Sequence, residues 1–160
     1  MSNAWYATPE AEFTRPNNTT AYAAGDVVGA TAAAITFGSF SYPLPGRPVT
    51  IRAAELRIDA SAVPSGMSFF TLHLYSVTPP SALADNAAFN LPSGDRASYL
   101  GSFVIGTPVD LGDTLYVRAD GLNVDIDLAG SMLFGYLVTA AAWTPAAETT
   151  FSVKLHVMAV

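Results

Sequence analysis

Apolar and polar residues alternate with a period of two along most of the chain. In TTFSVKLHVMAV (149–160), Phe151, Val153, Leu155 and Val157 fall on one face and Ser152, Lys154 and His156 on the other. That is the pattern of a half-buried strand. AAELRIDAS (53–61) repeats it, with Ala54, Leu56, Ile58 and Ala60 set against Glu55, Arg57 and Asp59. MSFFTLHLYSV (67–77) differs in kind. Phe70, Leu72 and Leu74 line one side, but Phe69, Thr71, His73 and Tyr75 line the other, so both faces are expected to be covered, as in a central strand. ASYLGSFVIGT, DTLYVRAD, NVDIDLA and SMLFGYLVTAAAW add four more β-rich runs, and GDVVGATAAAITF supplies at least one near the start. The total is about eight strands separated by Gly, Pro, Asn and Asp, which predicts an antiparallel sandwich or barrel.

No run carries a sustained helical stripe. PSALADNAAF (80–89) has room for one or two helical turns, with Ser81 as the N-cap. Residues 1–20, including TPEAEFTRPNNTT, do not alternate and are read as an extended arm that orders on a partner or along the domain edge. Residues 21–160 then form one β-sandwich domain. SYPLPGRP (41–48) holds three prolines in eight positions and is read as a loop. No internal repeat or low-complexity linker divides the chain.

Composition shifts the picture toward contact. Hydrophobic residues make up 51% of the 160, many of them Ala and Val, and charged residues only 12%. A solitary soluble domain carries a surface about a quarter or more charged. Part of this surface is therefore expected to be covered by neighbours, as in a homo-oligomer or a docked subunit. Seven Lys and Arg against thirteen Asp and Glu give a net charge of −6, with no basic cluster, which argues against nucleic-acid binding. With no cysteine there are no disulfides, thiolate catalysis or cysteine-held metals. The start MSNAWYATPEAEF has no basic segment followed by an apolar run, and no apolar window is long enough to cross a bilayer as a helix. A bacterial-type cytoplasm is the expected place of synthesis and assembly.

Candidate chemistry is sparse. His73 and His156 each sit mid-strand, alternating with apolar positions, and are read as sheet-face histidines. No G-x-S-x-G elbow, P-loop or zinc-ligand spacing is present. Asp110, Asp113, Asp120, Asn123, Asp125 and Asp127 invite a calcium reading, but the EF-hand order is missing and alternation places Asp125 and Asp127 on a solvated strand face. Trp5, Tyr6, Tyr22, Tyr42, Tyr99 and Trp143 suit either stacking on sugars or anchoring a protein interface, and the second is favoured. No catalytic, cofactor-binding or metal residue is expected, and a glycan hydrolase is the weakest of the function classes.

Three stretches carry a resemblance. FTRPNNTTAYAAGDVVG (13–29), LHLYSVTPPSALADNAAFNLPSGDRASYLG (72–101) and GYLVTAAAWTPAAETTFSVKLHV (135–157) are similar to the small β-rich virion proteins of tailed phages and prophages. In that group an F-x-R-P opening, a T-A-Y-x-x-G-D-V run and an L-H-L-Y-x-x-x-P…D-N-A-A-F block follow in this order. The resemblance implies a jelly-roll decoration, or cement, protein lying on the capsid, binding the major capsid protein and other copies of itself, and catalysing nothing. It implies residence in the virion after assembly in the host bacterial cytoplasm. The alternative is a tail-fibre or baseplate component that contacts host glycans. Long fibres usually carry repeats or heptads, and this chain has neither. Phe13, Arg15 and Pro16 are the expected docking residues of the arm; Tyr22, Tyr42, Arg96 and Trp143 complete the expected interface set.

The excursion at 82–101 gathers Asp85, Asn86, Asn90, Asp95 and Arg96. Its polar groups are read as satisfying backbone in a fixed crossover, with Phe89 and Leu91 pinned to the core and Arg96 pointing outward.

Overall fold

The computed structural model describes residues 5–31, 34–38, 40 and 48–159. Eleven strands run through them: β1 (Tyr6–Ala7), β2 (Glu10–Thr14), β3 (Val27–Val28), β4 (Ile35–Phe37), β5 (Pro48–Ile58), β6 (Phe70–Tyr75), β7 (Tyr99–Gly106), β8 (Val109–Asp110), β9 (Leu115–Asp127), β10 (Leu133–Thr139) and β11 (Thr150–Ala159). All pairings are antiparallel, in two sheets. In the first, β1 and β2 share one edge of β11, followed by β5, β9 and β8; in the second, β3 and β4 share one edge of β10, followed by β6 and β7. β1 with β2, and β3 with β4, are therefore two single positions, each interrupted once. Counted this way, with β8 as a short addition, there are eight positions in the orders 1-8-3-6 and 2-7-4-5, which is the double Greek key of a jelly roll. The sandwich expected from alternation is the one the chain forms.

Alternation explains the core. Ala54, Leu56, Ile58, Phe151, Val153, Leu155 and Val157 from the first sheet face Phe70, Leu72, Leu74, Leu133 and Leu137 from the second, each at most 1% exposed. Gly135 lets β10 approach β6, because a Cβ there would stand 2.7 Å from the His73 carbonyl oxygen. The runs DTLYVRAD and NVDIDLA, expected as two strands, are one. Asp120 pairs with Ala53 and Val124 with Ile51, so Gly121, Leu122 and Asn123 oppose Arg52 alone. Gly121 (φ 67°) and Asn123 (φ 49°) supply left-handed backbone for a bulge where their residue types had suggested a turn.

Within residues 1–20, β1 and β2 lie along β11, and Phe13 stacks on Phe151 at 5.3 Å. Residues 41–47 lie outside the described residues, and Pro48 opens β5.

The second sheet is covered on its outer face as well, as the two-sided pattern of β6 predicted. Val27, Tyr75, Tyr136 and Val138 form a second buried cluster there, under Leu83, Phe89, Leu91 and Tyr99. The covering strap runs from the end of β6 to the start of β7 and is not helical at 80–89. Ala87 N–H bonds the Ala84 carbonyl to close a turn, with Asn86 at φ 65°. The next groups are already committed to β3: Asn86 N–H to the Val27 carbonyl and Val27 N–H to the Ala87 carbonyl, both 2.8 Å, and Phe89 N–H to the Gly25 carbonyl at 2.9 Å. A helix would forfeit those bonds. Ser81 likewise caps nothing, since its hydroxyl donates to Asp95 in the 3₁₀ turn Ser93–Asp95.

His73 lies beneath this strap, stacked on Phe89 at 3.8 Å, its Nδ1 3.0 Å from the Tyr99 hydroxyl. Burial lowers its pKa from the usual 6.5 to about 4. The unfolded chain then binds a proton that the folded chain refuses, so His73 lowers stability as pH falls from about 6.5 to about 4. Urea unfolding across that window should show a decline that His73→Gln flattens; an unchanged slope would refute the assignment.

Candidate functional site

Two polar assemblies stand out, one inside the chain and one on a sheet face. The first begins at Arg15, just past β2, whose side chain is fully buried. Its Nη2 meets Asp85 Oδ2 at 3.0 Å, its Nη1 donates to the Ala146 carbonyl at 2.7 Å, and its Nε donates to the Tyr22 hydroxyl. Tyr22 in turn donates to Asp85 Oδ1 at 2.5 Å, and Gly29 N–H donates to the same oxygen at 3.1 Å. The Tyr22 ring packs on Trp143 with centroids 4.9 Å apart, and Trp143 Nε1 donates to Thr139 at 3.0 Å. Burial, followed by the bond to the Asp85 carboxylate, drives the Tyr22 hydroxyl's pKa far above its ordinary value. It is a fixed donor with no capacity for acid–base work near neutral pH.

The second assembly lies on the outer face of the first sheet. Alternation aims Glu10 of β2, Ser152, Lys154 and His156 of β11, Glu55 and Arg57 of β5, and Tyr116, Arg118 and Asp120 of β9 to one side. Glu55 is the hub: Tyr116 donates to it at 2.6 Å and His156 Nε2 at 2.7 Å, with Arg57 at 3.6 Å and Arg118 at 3.8 Å. Burial alone would raise its pKa, but those hydrogen bonds and charges outweigh it and hold the carboxyl at about 2. Lys154 pairs with Glu10 at 3.3 Å, Arg118 with Asp120 at 2.7 Å, and Tyr6 bonds His156 Nδ1. Glu10, Glu55 and Asp120 are thus each paired within the face, which also carries Glu12, Asp125 and Asp127. Among the described residues, no group of three or more His, Asp or Glu side chains is arranged to hold a metal ion.

Of the residues expected to contact a partner, Arg15, Tyr22 and Trp143 meet in the internal network, at 1%, 2% and 5% exposure. Phe13 is buried on Phe151, Pro16 is half-buried, and Arg96 is exposed. Tyr42 lies outside the described residues. Sequence reasoning treated Asp85 as a local capping residue and missed its partners. The pairing joins residues 70 positions apart, and no local pattern around Arg15 or Asp85 points to it. Glu55 was legible as a face residue, but its role as hub depends on strands far apart in sequence.

Truncation of Asp85 leaves Arg15 buried without a counter-charge. Asp85→Ala should lower unfolding free energy by about 3–5 kcal/mol in urea titration, whereas Arg96→Ala should fall within about 0.5 kcal/mol of the parent. Near-equal effects would remove the network from its structural role. Glu55, with its folded pKa depressed, supports the fold above about pH 4.5 and loses that contribution as pH falls toward about 2. Glu55→Gln should flatten the acid limb of the stability curve in that window while leaving the His73 window intact.

Neither a protein-family model nor a curated protein sequence matches the chain. Several solved structures are distantly similar to it. One described as "Capsid of Ralstonia phage GP4" is 16% identical at a TM-score of 0.43, covering 99% of this chain and 86% of that one. A Desmodium yellow mottle tymovirus chain is 14% identical at 0.33, covering 99% and 89%. The chain in "Crystal structure of decameric BFDV Capsid Protein" is 11% identical at 0.32, covering 99% of both. At these values the likeness concerns the path of the chain and assigns it no role.

Proposed function

We propose that this chain is a non-enzymatic structural protein of a virus particle. Within that class it is a decoration, or cement, subunit on the outside of a tailed-phage capsid, stabilising joins between major capsid subunits and assembling in the host cytoplasm. The observation that carries the reading is where the signature blocks converge. F-x-R-P supplies Arg15, T-A-Y-x-x-G-D-V supplies Tyr22, and D-N-A-A-F supplies Asp85, and these three are the members of one buried network. The blocks that mark the resemblance to virion proteins thus encode architecture. They are what a structural family would be expected to share, and none of them forms a reactive centre.

Other features support the same reading. Glu10, Glu55 and Asp120 are engaged with basic neighbours on the charged face, and the two histidines are committed to Tyr99 and Phe89 in one case and to Glu55 and Tyr6 in the other. A low-charge surface suits a final state packed among neighbours, where contact requires little desolvation of ions.

The test uses full-length protein and expanded empty shells from a phage deleted for this gene. Co-sedimentation should saturate at a fixed ratio of protein to major capsid protein, and bound shells should withstand higher temperatures before rupture. Association with tails alone, or sedimentation with no saturation, would overturn the proposal.

A further inference from the structure

Four of the exposed large apolar side chains sit at one end of the sandwich, on the loops that join β5 to β6 (59–69) and β7 to β9 (107–114). They are Val63 (37% exposed), Phe69 (42%), Val109 (56%) and Leu111 (64%). A third loop, 140–149, completes this end: Ala140 N–H bonds the Phe69 carbonyl at 3.1 Å, and Asp59 N–H bonds the Thr150 carbonyl at 2.9 Å. Between the 59–69 and 140–149 loops lies a largely apolar hollow of about 250 Å³, lined by Ala60, Ala62, Pro64, Met67, Trp143 and Ala146, with Asp59 also in its wall. The three loops carry Asp59, Asp110, Asp113 and Glu148, and none of the chain's seven Lys and Arg. An apolar hollow therefore lies at an end of the sandwich whose loops are acidic.

We infer that this loop end is the docking surface for a partner protein whose contact patch is apolar and flanked by Lys or Arg. A second copy meeting it end to end does not fit, because that association would set four acids against four acids. A basic partner supplies the missing charge, and its apolar side chains enter the hollow, as buried anchors do at protein interfaces. The partner is the capsid subunit of the proposed function, so the inference rests on that reading for its second experiment but not for its first.

The first experiment titrates full-length protein with a short alternating Leu–Lys peptide and with its Leu–Glu counterpart. The Leu–Lys peptide should bind, and more weakly by several-fold when NaCl rises from about 50 to about 300 mM; the Leu–Glu peptide should not. The double variants Val109→Asp with Leu111→Asp and Asp59→Lys with Asp113→Lys should each weaken Leu–Lys binding at least about tenfold. Val77→Asp with Met132→Asp, placed at the opposite end, should leave it unchanged. Urea midpoints near the parent's show that each variant is folded. Equal binding of the two peptides, or indifference to the loop variants, overturns the inference. The second experiment repeats the variants with empty shells. Loss of shell binding in the loop variants supports the site, and shell binding unaffected by them overturns it. Peptide results as expected with no parental shell binding would overturn the capsid reading and leave the surface standing.

Discussion

The fold depends on one buried ion pair. Arg15 and Asp85 are far apart in sequence and belong to the two segments least regular in pattern, the end of the N-terminal edge strand and the strap over the second sheet. Their side chains are 0% and 3% exposed. A charge so placed has no solvent to fall back on, so each end of the pair fixes the other. Tyr22 and Gly29 add bonds to the same carboxylate, and the Ala146 carbonyl holds the guanidinium, so four stretches of chain meet at one point. The strap must cross the second sheet for Asp85 to reach Arg15. In crossing, it lays Leu83, Phe89 and Leu91 over an aromatic face that would otherwise be open.

The remaining charge follows from that arrangement. With its outer face covered, the second sheet has little need of charged side chains, and between Phe70 and Tyr75 it uses His73 as a neutral aromatic. The first sheet keeps an open outer face and carries the mesh around Glu55. Its ion pairs link β2, β11, β5 and β9, so they act across the sheet where hydrogen bonds already run. Most are partly exposed, which limits their contribution to stability. They keep the face wet and offset the charges of Glu10, Glu55 and Asp120, while Glu12, Asp125 and Asp127 leave the same face net acidic.

Much of this was legible in the sequence, because the period of two is a local signal. β5, β6 and β11 are each written in six or more consecutive residues, and the face of each that meets the other sheet can be read directly, whereas β10 is apolar on both sides and gives only its existence. The strap was misread as partly helical because Ser81, Asp85 and Asn86 are residues that cap helices as readily as they turn chains. The choice between those uses is made by β3, whose backbone groups claim Asn86, Ala87 and Phe89. D-G-L-N at 120–123 was misread for the same reason: turn chemistry and bulge chemistry are identical until the partner strand is known. Arg15, Tyr22 and Trp143 were singled out in the sequence as partner-contact residues, and in the structure they are buried together within the chain. That they would find one another inside the chain is a property of the jelly-roll order, which brings the first and last positions together at one edge of a sheet.

That same order controls how the molecule can meet others. A sandwich has four sheet edges, and open edges invite strand addition. Here each is blunted in its own way. The β1–β2 edge is broken at Thr8–Pro9 and followed by Glu10 and Glu12. The β3–β4 edge consists of strands of two and three residues, with the strap bonded alongside β3. β9 carries its bulge together with Asp120, Asp125 and Asp127. β7 slips register at both ends, where Leu100 and Ile105 are extra residues against β6. With the edges blunted, one face covered by the strap and the other laced with ion pairs, the end of the sandwich formed by the loops 59–69, 107–114 and 140–149 combines exposed Val63, Phe69, Val109 and Leu111 with four acids. A pairing of apolar side chains with charge of one sign at one end gives contact there a direction, and directional contact is what placement at a defined position in a larger assembly requires.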